Sequence, residues 1–161
     1  MRHDIKKRKA MDKFIKIFLS GFLIFVLCIV TGPAFGKSQV MTNVKVIHAS
    51  TGQSYLDPDL QGIISELKTV FKYTSYKLLK EKRLNQSFNQ KDRVNLPGKR
   101  TLVIIPLDTS GNRIRYQINI LKNKKSVFQT RILLRNNSSI TIGGPKFKNG
   151  YLLFNISGSV Q

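Results

Sequence analysis

Residues 113–120 alternate without a break: Ile114, Tyr116, Ile118 and Ile120 share one parity, and Arg113, Arg115, Gln117 and Asn119 the other. A period of two suits a β-strand with one face in a core and the other in solvent, and no helix. Past a Lys-rich break, Phe128, Ile132 and Leu134 alternate with Gln129 and Arg131. Because a one-residue slip inverts every side chain, the two apolar faces match only when paired residue numbers sum to an even value. Ile120 then faces Phe128, with Ile118 on Thr130, Tyr116 on Ile132 and Ile114 on Leu134. The loop is expected to be Asn123-Lys124-Lys125, or its equivalent with a bulge, rather than a two-residue turn. On the polar side this register places Gln117 near Arg131 and Arg113 near Arg135. Opposed like charges are unfavourable unless an anion relieves them.

The same signals extend along the chain. Leu96-Pro97-Gly98 turns into an apolar run at 101–107, expected as a strand covered on both faces, and residues 108–112 turn the chain again. Strands near 140–142 and 151–156 flank a loop from Gly143-Gly144-Pro145 to Asn149-Gly150. Upstream, Val44, Val46 and His48 alternate with Lys45, Ile47 and Ala49. Asp57-Pro58 opens a helix, with Asp57 as N-cap and Asp59 favourable to the dipole. Its apolar stripe is Leu60, Ile63, Ile64, Leu67, Val70 and Phe71, one face of a 3.6-residue period. The aromatic run at 71–76 ends it and feeds a strand through about residue 82. The expected class is α+β: one helix over about 58–71, packed on a mainly antiparallel sheet or meander of six to eight strands.

The N-terminus sets the expected address. Basic residues up to Lys16 precede an apolar run at 17–30, the breakers Gly32 and Pro33, and the small-x-small site Ala34-Phe35-Gly36. This is the pattern of a signal peptide over 1–36, leaving a single domain at 37–161 that is periplasmic or extracellular. The alternative is an uncleaved membrane anchor through residues 14–30. Cys28 lies inside the apolar run, so residues 37–161 hold no cysteine and no disulfide or thiolate metal site.

The full chain carries a formal charge of +20, and past Asp92 a dozen Lys and Arg face Asp108 as the one acid. Such a field attracts anionic surfaces and polymers. The candidate anion or partner site is Arg113, Arg115 and Arg131 on the polar side of the hairpin, Lys122, Lys124 and Lys125 at its tip, and Lys146 and Lys148 beyond the glycine loop. Gly143-Gly144-Pro145-Lys146 lacks the spacing of a phosphate-binding P-loop. His48, with Ser50 or Ser54 and Asp57, is the one constellation that suggests a hydrolase. Sequence neighbours at a strand end rarely supply triad geometry, and no catalytic residue is assigned. Asp57 and Asp59 are accounted for by the helix start, so no metal and no cofactor is expected.

The turn Leu96-Pro97-Gly98, the strand at 101–106 and the segment Ile142-Gly143-Gly144-Pro145 to Gly150-Tyr151-Leu152-Leu153 resemble small exported bacterial proteins of uncharacterised function. The resemblance covers most of residues 44–157 and implies no activity and no site residue. The expected function is that of an exported, non-enzymatic envelope binding or accessory protein, whose basic face meets an anionic envelope surface or an envelope protein. The exported address argues against cytoplasmic nucleic acid. A subunit of a larger envelope assembly and a small periplasmic hydrolase using His48 are the alternatives.

Overall fold

The computed structural model describes residues 38–161; the signal peptide and its anchor alternative lie outside the described residues. Nine strands follow one another: β1 Gln39–Ser50, β2 Tyr55–Leu56, β3 Ser75–Ser87, β4 Asp92–Leu96, β5 Arg100–Thr109, β6 Arg113–Lys122, β7 Lys125–Arg135, β8 Ser138–Phe147 and β9 Gly150–Val160. They form two sheets, ordered β2-β3-β1-β9-β8 and β4-β5-β6-β7. Every pairing is antiparallel except the short β2–β3 contact. The class holds, but the six-to-eight-stranded meander is corrected to two sheets face to face. One sheet of nine half-apolar strands would leave its apolar side wet, whereas two sheets cover each other. The chain changes sheet between β3 and β4 and again at Asn136-Asn137, where Asn137 takes φ 58° and its N–H reaches the Gly158 carbonyl at 2.9 Å.

Between the sheets, Val44, Val46, Leu152, Phe154 and Ile156 meet Leu102, Ile104, Ile114, Tyr116, Ile118 and Ile120. Tyr116 is fully buried, its hydroxyl 3.0 Å from Thr42 Oγ1 across the interior. A Cβ on Gly158 would collide with that hydroxyl, so the close approach itself requires glycine there.

The helical segment is a six-residue 3₁₀ helix, Pro58–Ile63, continued as α1, Ile64–Val70. It lies on the outer side of the first sheet, where Leu60 and Leu67 pack on Ile47, Ala49, Tyr76 and Leu153. Strand β1 thus serves two cores, Val44 and Val46 one way and Ile47 and Ala49 the other. Asp57 caps as expected and also anchors: Oδ1 accepts from the Asp59 N–H at 3.3 Å and Oδ2 from the Leu78 N–H at 3.1 Å. One member of the stripe is corrected, since Val70 is 62% exposed. The helix stops there, and Phe71 leaves in extended conformation with its N–H on the Leu67 carbonyl at 2.8 Å, so Leu67 and Phe71 take the core side.

The β6–β7 register is the one parity required, from Ile120 on Phe128 to Ile114 on Leu134. Its loop differs: Lys122 pairs with Lys125 across a two-residue turn, Asn123-Lys124, both at positive φ as a type I′ turn demands. Parity is restored by a bulge at Val127, between the Ile120–Phe128 and Leu121–Ser126 pairs. Gly143-Gly144-Pro145 is likewise no loop but an irregular part of β8, with the turn at residues 148–149.

Candidate anion-binding face

The helix covers the outer side of the first sheet, and no described element covers the outer side of the second. Cross-strand rows define that face: Arg93–Val103–Asn119–Gln129, then Ile105–Gln117–Arg131, then Asp108–Arg115–Leu133, with Arg113 opposite Arg135 at its end. Five of the seven arginines in residues 38–161 (Arg93, Arg113, Arg115, Arg131 and Arg135) therefore share one sheet face and project into solvent. Asp108 is the acid among them, 3.4 Å from Arg115 Nη1 with both side chains about half exposed. Such a pair contributes little stability. Val103 is only 4% exposed although it belongs to this face, its cross-strand neighbours being Arg93 and Asn119. The two-sided burial expected for β5 is met at Val103 by neighbouring side chains, while Ile105 stays half-buried.

The lysines collect elsewhere. Lys122, Lys124 and Lys125 stand at the β6–β7 turn, and Lys146 just before the β8–β9 turn and Lys148 within it lie at the same end of the sandwich. The expected eight-residue site thus divides in two. Arg115 and Lys122 are seven residues apart on one strand, about 23 Å, too far for one small anion to bridge. Two cations not singled out from sequence join the lysine end. Lys99 lies in the β4–β5 turn, and Arg100 opens β5 directly opposite Lys122, which itself faces Lys125. Arg100 and Lys122 also line a small notch with Val127, Phe128 and Gly143-Gly144-Pro145, which brings β8 of the other sheet to the same place. The parity rule that set β6–β7, carried one strand further to β5, would have found Arg100.

His48 faces the sandwich interior at this end, its ring edge-on to Phe147 with centroids 5.4 Å apart. Its Nε2 is buried without a hydrogen-bond partner among the described residues. The two Asp57 oxygens accept backbone N–H groups, so the carboxylate of the hydrolase reading is engaged at the helix start. Among the described residues, no three of His, Cys, Asp and Glu come together as a metal site would need.

No family model, curated protein or solved structure matches this chain.

Proposed function

We propose that this is an exported, non-enzymatic binding protein of the cell envelope, and that the uncovered arginine face of the second sheet receives an anionic partner. The observation that carries this reading is the segregation of five arginines onto one sheet face with a single acid. Guanidinium groups present planar donor forks suited to carboxylate and phosphate oxygens, and Gln117, Asn119 and Gln129 interleave further donors. Arg113 and Arg135, directly opposed, repel each other until an anion lies between them.

The test is binding of the full chain to vesicles containing phosphatidylglycerol, and to heparin, at two ionic strengths. Affinity is expected to fall steeply from about 0.01 M to 0.15 M salt, as the Debye length contracts from about 30 Å to about 8 Å. Replacing Arg113, Arg115 and Arg131 by Gln is expected to abolish it with the fold intact, since none points into the core. Undiminished binding by that variant would refute the face.

A second reading, a subunit of a larger envelope assembly, is favoured by β7. This strand is an eleven-residue sheet edge with Val127 and Leu133 exposed. Unpaired edges of this kind invite another strand. Sizing the protein with its native partners tests it.

A further inference from the structure

Between the β4–β5 and β6–β7 turns lies an open cleft of about 720 Å³, lined by Arg93, Lys99, Arg100 and Lys124 together with Asn95, Thr101 and Asn123. Its ionisable lining groups are all cations, and the remaining polar ones are neutral hydrogen-bonding side chains. Two further features mark it. Lys99 and Lys124 occupy the left-handed region, at φ 55° and 64°, where glycine or asparagine is the unstrained choice. The charge is therefore held at a conformational cost. Arg100 lies over the neighbouring turn, its Nη1 3.0 Å from where a Cβ on Gly98 would stand, so the glycine leaves room for its guanidinium. Gly98 itself has φ 74°.

We infer that this cleft binds clustered phosphate groups, as phosphomonoesters or a pyrophosphate-type chain. The argument is one of charge density. Four cations lining one cleft favour a ligand that brings several negative charges into the same volume. A phosphate group carries up to two charges on tetrahedrally disposed oxygens, whereas a carboxylate carries one. Lysine ammonium groups suit phosphate as point charges, and the Arg100 fork takes two oxygens at once. This inference rests on the anion-binding reading but uses other residues, with only Arg93 common to the cleft and the arginine face.

The experiment titrates the full chain with inorganic tripolyphosphate, with citrate as the carboxylate control and phosphatidic acid vesicles as the lipid-borne arm. Saturable binding of one tripolyphosphate is expected, at least about tenfold tighter than citrate. Replacing Lys99 and Lys124 by Asn, which tolerates positive φ, and Arg100 by Gln is expected to weaken it by about tenfold or more. The triple Arg113, Arg115 and Arg131 to Gln variant is expected to retain it, so failure of the face and failure of the cleft give different results. Should the Arg100 change disturb the fold, the Lys99→Asn, Lys124→Asn pair carries the same test. Binding to vesicles but not to tripolyphosphate, lost in the cleft variant, identifies a lipid headgroup as the source of the phosphate. Equal binding by the cleft variant in both arms, or citrate as tight as tripolyphosphate, overturns the inference.

Discussion

Arg100 and Lys122 stand directly opposite each other on β5 and β6, and Lys125 stands opposite Lys122 on β7, a row of three cations across adjacent strands. Opposed residues in an antiparallel pair lie about 4.5–5.5 Å apart at Cα, and like charges at that spacing destabilise the sheet. Lys122→Glu replaces two repulsions by two attractions. It is expected to raise the urea midpoint, by an increment of up to about 1 kcal/mol, and to weaken tripolyphosphate binding. A lowered midpoint would show that the row is not repulsive in the unliganded protein.

Lys124 is the second residue of a type I′ turn, the position that prefers glycine. Lys124→Gly completes the favoured Asn-Gly pair and is expected to stabilise the protein by about 0.5–1 kcal/mol. Anion affinity is expected to fall in the same variant. Chemical denaturation and calorimetric titration of one preparation read both effects.

Leu67 is fully buried between the helix and the first sheet, and Val70, one turn on, is exposed. Leu67→Ala is expected to cost about 2–5 kcal/mol. Val70→Ala and Lys68→Ala are expected to change stability by less than about 0.5 kcal/mol. Coincident urea midpoints for Leu67→Ala and Val70→Ala would contradict the packing of α1 on β1, β3 and β9.

Burial holds the Tyr116 phenol above its ordinary pKa, opposed in smaller measure by its hydrogen bond with Thr42, and burial likewise raises Tyr76. The folded state thus keeps these protons more tightly than the unfolded chain. Their contribution to stability is complete below the ordinary phenol value of about 10 and is lost as pH rises through the raised values. Urea midpoints are expected to hold up to about pH 9 and decline above about pH 10, with a shallower decline in Tyr116→Phe. At neutral pH that substitution strands the Thr42 hydroxyl and is expected to cost about 1 kcal/mol.

Asp108 is the acid set among the arginines of the second sheet. Asp108→Asn frees Arg115 and is expected to strengthen binding of phosphatidylglycerol vesicles at low salt. Its exposed ion pair is worth less than about 1 kcal/mol, so the melting midpoint is expected to move little.

Much of this arrangement was legible in the chain because its causes are local. Asp57-Pro58 announced the helical segment, and the observed span, Pro58 to Val70, ends one residue before the expected one. Val70 departs from the expected stripe because a 3.6-residue period assumes a regular helix. Here the segment opens as a 3₁₀ helix and stops as soon as Phe71 finds the core. The Asn123-Lys124 turn departs from the expected loop for a related reason: parity requires one extra residue but not where it sits, and the extra residue is Val127 within β7.

Along β6, alternation alone determined which side chains face the core and which face away from it, and so the register of β6 on β7. Side-chain direction in a strand repeats every two residues and needs no knowledge of distant chain. Tertiary structure decided that the strands divide between two sheets, and so which cations meet. Lys99 and Arg100 join Lys122 and Lys124 from more than twenty residues away, while Arg113, Arg115 and Arg131, on the same hairpin, stay toward the other end of the sheet. Strand order is set by which apolar faces cover one another, a non-local burial term that no window of sequence contains.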